Sequence, residues 1–305
     1  RAGNRTTAIR WARILRDLGH RVKISEDSDG AGADMMVAVH AWRSAKSIRA
    51  FSEHYPDKPL VVLLAGTDVY RFQHSHPEDT LRSMDRASRL VCLHDLVHQA
   101  IPERFGRKLR VIHQSSPPLK TPRRPSTRWF EVCIAGHLRE EKDSLRAAYA
   151  ARLVSADSKL RIVHLGKAIG ESWARDARAE MAGNSRFVWR GEVPGWQVRR
   201  QFARSHAMVI SSIMEGGANI VSEAIVCGVP VIASNIDGNI GLLGPDYQGY
   251  FPATDEVALA ALLQRAETDP AFLPSLARQC RAKKNLFAPA KEKAAWRALL
   301  KEMGI

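Results

Sequence analysis

Short apolar runs alternate with helix-like segments along almost the whole of this 305-residue chain, and no other feature constrains its fold as strongly. The apolar runs predict strands, and the segments between them predict helices. Strands that alternate with helices pair in parallel, because each helix carries the chain back to the start of the next strand. We therefore predict an α/β fold with parallel sheets. The predicted strands are Asp34–Val39, Leu60–Leu64, Leu90–Leu93, Leu109–Ile112, Glu131–Ala135, Leu160–Leu165, Phe187–Trp189, Ala207–Ser211 and Pro230–Ser234.

A proline-rich run around Pro117–Pro125 separates two such α/β halves, since proline at this density suits neither a helix nor a sheet interior. The length of the chain also exceeds what one core usually supports. We predict two Rossmann-like domains that face a cleft, residues 1–120 and 126–285. Residues 286–305 are predicted as a C-terminal helix that packs on its own domain or crosses back to the first.

The start of the chain departs from the usual α/β pattern. A helix is predicted over Ala8–Leu18, and no strand precedes it, whereas an α/β domain normally begins with a strand. We therefore expect the first strand of the domain, and further residues, upstream of Arg1.

The net charge of +14 is the strongest signal in the composition. Lys and Arg are spread through the predicted helices, whereas nucleic-acid binders cluster their charge and interleave it with aromatic residues. We interpret the charge as a field that draws anionic ligands into a cleft, with no nucleic-acid partner. No run of about 20 apolar residues predicts a transmembrane span. Peripheral membrane contact stays open.

The cysteines and the N-terminus indicate a cytoplasmic protein. The 4 cysteines have no C-x-x-C spacing, and Cys92 and Cys133 lie inside apolar runs, as small core residues do. Dispersed free cysteines are typical of a reducing compartment. Arg1–Arg10 is polar and lacks the apolar core of a signal peptide.

The segment Ile213–Ser234 predicts a site for a sugar nucleotide. Glu215 and Glu223 are separated by seven residues, and Gly216–Gly217 precede a predicted helix that starts near Asn219. Glycines allow close backbone approach to a ligand, and a helix N-terminus attracts phosphate. Carboxylates accept hydrogen bonds from sugar hydroxyls. The alternative interpretation is a solvated helix with two surface glutamates.

A basic loop predicts the opposite wall of this site. Gly136–Lys142 follows a predicted strand and precedes a helix, and ligands bind at the carboxyl ends of parallel strands. His137, Arg139 and Lys142 would supply positive charge to a diphosphate, so we expect no metal and no other cofactor.

Loops after the first-domain strands are the candidates for a second substrate. Gly3–Thr7 is predicted as a loop with Thr6 or Thr7 as the helix N-cap, and His40 follows a strand. The acceptor candidates are Asn4, Arg5, Thr6, Thr7, Thr67 and Asp68, with His40 between acceptor and donor.

Four segments in order resemble the C-terminal domain of family-4 glycosyltransferases of the GT-B fold: G-H-L-R-E-E-K (136–142), F-V-W-R-G-E-V (187–193), E-G-G-A-N-I-V-S-E (215–223) and C-G-V-P-V-I-A-S (227–234). The resemblance implies that Glu215 faces the hexose, Glu223 faces the ribose, and Lys142 neutralises the leaving diphosphate. It also implies donor contacts from His137, Arg139, Gly191, Gly216, Gly217, Ala218 and Asn219. That family usually has Arg at the position of His137.

A narrower resemblance covers nearly the whole chain. The strings A-G-T-D-V-Y-R, A-G-H-L-R-E-E-K-D and I-D-G-N-I-G-L-L-G-P-D-Y-Q-G-Y-F-P are similar to those of the selenosugar synthases of selenoneine biosynthesis. The resemblance implies transfer of glucose or N-acetylglucosamine from a UDP-sugar to selenophosphate, giving a 1-seleno-sugar after phosphate loss. Glu215, Lys142 and His40 would be the catalytic residues. Selenium is a strong nucleophile, so this acceptor needs no strong general base.

Two alternatives predict other acceptors or no reaction. A hexosyltransferase acting on a lipid or glycan hydroxyl would need a base, for which Asp68 is the first-domain candidate. A non-enzymatic nucleic-acid-binding protein would bind with a steep salt dependence.

Overall fold

Four parallel strands form the sheet of the first compact unit. The computed structural model describes residues 2–28 and 31–305, and the chain divides into one unit that runs to Gln114 and also takes Pro289–Ile305, and a second unit, Ser115–Ala288. The first sheet has the order β1-β2-β3-β4, all parallel, with β1 Met36–Val39, β2 Leu60–Leu63, β3 Arg89–Cys92 and β4 Leu109–Val111. Its helices are α1 Ala2–Asp17, α2 Ala45–His54, α3 Gln73–Ser75, α4 Pro77–Arg86 and α5 Val97–Ala100.

Six parallel strands form the sheet of the second unit, in the order β10-β9-β8-β5-β6-β7. The strands are β5 Phe130–Ala135, β6 Leu160–Leu165, β7 Phe187–Trp189, β8 Ala207–Ile210, β9 Val231–Ser234 and β10 Tyr250–Phe251. The helices are α6 Arg146–Leu153, α7 Glu171–Gly183, α8 Gly195–Arg204, α9 Asn219–Val226, α10 Asp237–Leu243, α11 Glu256–Thr268 and α12 Phe272–Lys283. The inner strands β8 and β9 are buried along their whole length, as strands covered by helices on both faces must be.

The predicted fold class is confirmed, and each predicted strand is present to within two residues at its ends. The extra strand β10 has only two residues, too few for an apolar pattern to reveal it.

The last helix, α13 Pro289–Glu302, packs against α1 in the first unit. The rings of Trp11 and Trp296 meet edge to face, with centroids 4.8 Å apart. The buried Glu292 carboxylate accepts from Trp11 Nε1 at 2.9 Å and from Arg10 Nε at 3.2 Å. These contacts attach the end of the chain to the beginning of the described residues.

The predicted loop Gly3–Thr7 is wrong. Helix α1 already begins at Ala2, so these residues are helical and neither Thr6 nor Thr7 is an N-cap. The buried Thr7 hydroxyl donates to the Gly3 carbonyl one turn earlier, at 3.1 Å, and accepts from Gln114 Nε2 at 2.7 Å. A threonine hydroxyl inside a helix can donate to the carbonyl four residues earlier. Threonine is common at helix N-caps, but this hydrogen bond lets Thr7 lie within the helix instead.

Candidate functional site

Strand order in the second unit reverses between β5 and β8, because β5 has β6 on one side and β8 on the other. Open parallel sheets bind ligands at the carboxyl ends of strands beside such a reversal. The loops after β5 and β8 meet there, since the Ile213 N–H donates to the Glu141 carbonyl at 3.1 Å. A small cavity opens at this edge, lined by the ends of β5 and β8, the loop after β5 and the first turn of α9.

Lys142 and Glu215 form an ion pair at this edge, between Nζ and Oε1. The Glu215 side chain is 10% exposed and that of Lys142 is 21% exposed, so water screens the pair less than it screens a surface pair. Both residues were predicted as donor contacts from different loops. The pair offers one cationic group and one carboxylate to a ligand that carries both phosphate and hydroxyl groups.

A buried hydrogen-bond chain fixes the Glu215 carboxylate. Ser212 Oγ donates to Glu215 Oε1 at 2.6 Å, Ser234 Oγ donates to the Ser212 carbonyl at 2.5 Å, and Asn239 Nδ2 donates to the Ser234 carbonyl at 2.9 Å. Ser212, Ser234 and Asn239 are all 0% exposed. A satisfied buried network of this kind holds a side chain in one orientation.

Gly238 also helps to fix the position of Glu215, because it has no side chain. A Cβ atom at this position would stand 2.2 Å from the Glu215 carbonyl oxygen. Helix α10 can therefore approach the Glu215 backbone only because residue 238 has no side chain.

The loop between Glu215 and α9 exposes backbone at the helix N-terminus. Gly217 has a φ of 106°, a conformation that favours glycine, and Ala218 is extended just before the helix. Asn219 Nδ2 donates to Glu223 Oε1 on the next turn, and both residues are half-buried. The first N–H groups of an α-helix have no partner within the helix, so this end of α9 suits an anion.

The predicted basic loop contributes unequally to the site. His137 Nδ1 accepts from the Lys167 N–H at 3.1 Å, and burial lowers the pKa of His137, so its imidazole is neutral at neutral pH. Arg139 is 42% exposed, with its Nε 3.8 Å from Glu141 Oε2. Lys142 is the member of this set that contacts Glu215.

Gly191 lies after β7, next to the loop that follows β6. Its carbonyl accepts from the Gly166 N–H at 2.7 Å, and Trp189 Nε1 donates to the Gly166 carbonyl at 2.7 Å. This places Gly191 beside the carboxyl ends of β6 and β7, while the Lys142–Glu215 pair lies by β5 and β8.

Three of the first-unit candidates come together where β1 and β2 end. His40 Nε2 lies 2.9 Å from Thr67 Oγ1, and His40 Nδ1 lies 2.6 Å from Asp68 Oδ1. Asn4, Arg5, Thr6 and Thr7 lie instead in the first two turns of α1.

Sequence reasoning missed Ser212, Ser234, Gly238 and Asn239. They follow β8 and β9 at their carboxyl ends, so the rule that directed attention to the loop after β5 also covers them. Their signal is weak because serine, glycine and asparagine are the ordinary residues of such turns.

The cysteines take no part in this site. All 4 are free and buried, and burial raises the pKa of the Cys92 and Cys133 thiols to about 12, so neither is a thiolate nucleophile at neutral pH. Within residues 2–28 and 31–305, no group of three or more His, Cys, Asp or Glu side chains is placed to hold a metal ion. Over the same residues, no helix is both long enough and apolar enough to cross a bilayer.

A family model described as glycosyl transferases group 1 matches residues 122–285, more than half of the chain. The chain belongs to this family. It is therefore a glycosyltransferase of group 1, and the match contains Lys142, Glu215 and Glu223.

Curated relatives are similar over most of the chain. A putative teichuronic acid biosynthesis glycosyltransferase, TuaC of Bacillus subtilis (strain 168), is 25% identical over 280 residues, which cover 88% of this chain and 70% of the relative. A glycogen synthase of Mycobacterium tuberculosis is 26% identical over 269 residues, or 81% of this chain and 63% of the relative. This chain thus spans less than two thirds of the glycogen synthase.

Solved structures are similar in fold at low sequence identity. HepE of Anabaena, solved with UDP and glucose, has a TM-score of 0.73 at 15% identity, covering 88% of this chain and 78% of its own. Sucrose-phosphate synthase from Thermosynechococcus elongatus has a TM-score of 0.69 at 16% identity, covering 89% of this chain and 74% of its own. The predicted GT-B fold is confirmed, as is the resemblance to this broad family.

Proposed function

We propose that this chain transfers glucose or N-acetylglucosamine from a UDP-sugar to selenophosphate and, with the addition of water, forms a 1-seleno-sugar, UDP and phosphate. The observation that carries the proposal is the Lys142–Glu215 ion pair beside the N-terminus of α9. A UDP-sugar has a diphosphate to attract Lys142 and hexose hydroxyls to bind Glu215. HepE, which shares the fold, was solved with UDP and glucose, which supports this choice of donor.

On the donor side, we assign the catalytic roles to Glu215 and Lys142. A donor would replace the Lys142–Glu215 ion pair by an ion pair between its diphosphate and Lys142 and by hydrogen bonds that the hexose hydroxyls donate to Glu215. Gly216, Gly217, Ala218 and Asn219 would present backbone to the sugar and diphosphate. Stabilising the charge of the leaving UDP would then supply much of the rate enhancement. Further donor contacts are proposed for Glu223 with the ribose, Gly191 near the base, and His137 and Arg139 beside the diphosphate.

On the acceptor side, Asp68 is not placed to act directly as the base of a hydroxyl acceptor. Its buried carboxylate already accepts the N–H groups of Ala41, Trp42 and Ala65 at 2.9 to 3.0 Å and contacts His40. Selenophosphate is already an anionic nucleophile. The string A-G-T-D-V-Y-R around Thr67 resembles those of selenosugar synthases, and this resemblance is what suggests selenophosphate as the acceptor.

Further acceptor contacts are proposed in the first domain. Arg5 and Thr6 lie exposed on the first turns of α1 with the half-buried Asn4, and there they could meet the phosphate of selenophosphate. Thr7 is the weakest member of this set, because its hydroxyl already bonds Gly3 and Gln114. We propose residues 1–120 as the acceptor domain, 126–285 as the donor domain and 286–305 as a C-terminal helix. A cytoplasmic location suits the free cysteines.

The test is to incubate the purified protein with UDP-glucose or UDP-N-acetylglucosamine and selenophosphate. We expect UDP, orthophosphate and a hexose carrying the isotope pattern of selenium by mass spectrometry. Glu215→Ala should lose this product, whereas Glu171→Ala, which removes an 81% exposed carboxylate of the same unit, should keep it.

The outcome that refutes selenophosphate as the acceptor is UDP release without any selenium-containing hexose. If lipid or glycan hydroxyls instead support transfer, the chain is a hexosyltransferase of a different acceptor class. If RNA binding persists and Glu215→Ala alters no activity, the glycosyl-transfer role itself is wrong.

A further inference from the structure

Thr67, His40 and Asp68 form a hydroxyl–imidazole–carboxylate series at the carboxyl end of the first sheet. His40 follows β1 directly, and Thr67 and Asp68 lie in the helical segment that begins shortly after β2. Because β1 and β2 are neighbours, the His40 ring reaches both residues, with Nε2 2.9 Å from Thr67 Oγ1 and Nδ1 2.6 Å from Asp68 Oδ1. His40 and Asp68 are 2% and 1% exposed, whereas Thr67 is only half-buried.

The hydrogen bonds of Asp68 decide where the protons lie. Asp68 accepts three backbone N–H bonds, and both of its oxygens are used as acceptors, as suits a carboxylate. An ionised carboxylate only accepts, so His40 Nδ1 carries the proton and donates to Asp68. The Arg43 N–H also points at Nδ1, at 3.2 Å, but the 2.6 Å contact with Asp68 is much the shorter of the two and decides the tautomer. The lone pair of the neutral ring is then on Nε2, and the Thr67 hydroxyl donates to it.

The backbone of the series is unusual in two independent ways. His40 has a φ of 92°, which non-glycine residues rarely adopt. Asp68 opens a π-helix, Asp68–Phe72, a rare element that is frequent at functional sites. The ring of Phe72 stacks on Trp42 at 4.1 Å and lies 5.7 Å from the His40 ring, which packs one side of the series with aromatic groups. Strain of this kind costs stability and persists where the surroundings enforce it.

The proposed reaction contains a step that needs such a series. Attack of selenium on the anomeric carbon gives UDP and a hexose–Se–PO3 dianion, and the 1-seleno-sugar forms only when the P–Se bond breaks. Water attacking phosphorus must lose a proton, so this step needs a base although the first does not.

We propose that Thr67, acting through His40 and Asp68, activates the water that removes phosphate from the selenium atom; this inference rests on the proposed function. Water forms the P–O bond as its proton passes to Thr67 Oγ1 and the Thr67 proton passes to His40 Nε2. The P–Se bond breaks with its electron pair on selenium, and the imidazolium then protonates the selenolate. The sum is hexose–Se–PO3(2−) and water giving hexose–SeH and HPO4(2−). Asp68 stays ionised and orients the ring, so it is a positioning residue.

The test compares Thr67→Val, which removes the hydroxyl at similar volume, with Thr67→Ser, which keeps it. Rapid-quench reactions with UDP-glucose and selenophosphate measure UDP, orthophosphate and the hexose–Se–PO3 species by mass spectrometry. In wild-type protein we expect orthophosphate and UDP in a ratio of one. In Thr67→Val we expect orthophosphate release to slow by about 10²-fold or more, with the phosphorylated intermediate accumulating. Thr67→Ser should restore the ratio.

The ratio separates this inference from the proposed function. If wild-type protein makes no UDP with selenophosphate, the proposed function and this inference both fail. If Thr67→Val is slower overall but keeps a ratio of one without intermediate, the relay alone is wrong.

Discussion

Glu215 in the second unit and Asp68 in the first are both buried carboxylates where parallel strands end, yet their partners differ. Glu215 Oε1 binds Lys142 and Ser212, both side chains, and Lys142 is partly exposed. Asp68 binds three backbone N–H groups and the buried His40. Side-chain partners can be exchanged for a ligand, whereas backbone partners belong to the fold. Glu215 is thus arranged for binding and Asp68 for support.

Replacing each carboxylate by its amide tests this comparison most strongly. Glu215→Gln should lower kcat/KM for the UDP-sugar by about 10²- to 10³-fold, because one charged contact to the reacting sugar is lost. Its free energy of unfolding should fall by only about 1 kcal/mol, because the glutamine amide oxygen can still accept from Ser212 and the Lys142 side chain is 21% exposed. Asp68→Asn should instead destabilise the fold by about 2–3 kcal/mol, because its NH2 group would face N–H donors.

Steady-state kinetics and urea unfolding of both variants provide the measurements. Equal loss of stability in the two variants would remove the distinction between an exchangeable and a fixed carboxylate.

Gly238→Ala tests whether the close approach of helix α10 holds Glu215 in position. The new methyl group would meet the Glu215 carbonyl oxygen at 2.2 Å, so the backbone of one of them must move. We expect a loss of about 1–3 kcal/mol in stability and at least a tenfold loss in kcat/KM. Gly195→Ala is the matched control, because a Cβ there meets nothing within 4 Å. Equal behaviour of the two variants would show that Glu215 is not held from α10.

Lowering the pH should decrease the stability of both units, in each case through a buried histidine. Burial lowers the pKa of His94 in the first unit and of His164 in the second to about 4. Unfolding returns each to a pKa of about 6.5, so between these values the unfolded chain binds more protons. Stability is therefore full above about pH 6.5 and falls as the pH drops towards 4, by up to about 3 kcal/mol for each histidine.

Urea unfolding between pH 7 and 4.5 measures this loss. His164→Gln should flatten the decline of the second unit and leave that of the first. A decline unaffected by both His94→Gln and His164→Gln would assign the acid sensitivity to other groups.

The sequence predicted the strands and the loops that carry Lys142 and Glu215, because apolar runs and strand ends are local features. It could not predict that these two residues touch, since this follows from the pairing of β5 with β8, and strand order is not written in any local pattern. The helical start at Ala2 was missed because the Thr7 hydroxyl bonds within the helix and to Gln114, more than a hundred residues away. The sequence predicted Asp68 only as an acceptor contact. Its backbone partners could not be predicted, because Ala41 and Ala65 lie in loops after two different strands.

Ser212→Ala should give the smallest effect of the set. The hydroxyl donates one hydrogen bond of 2.6 Å to Glu215 Oε1 and is itself 0% exposed. Its loss should cost about 1 kcal/mol in orientation of the carboxylate, or roughly a fivefold fall in kcat/KM, with Lys142 still in contact. Exposed Ser172→Ala is the control in the same unit. If Ser212→Ala matched the loss in Glu215→Gln, the hydroxyl rather than Lys142 would be the partner that holds Glu215, and the site would depend on buried support as fully as Asp68 does.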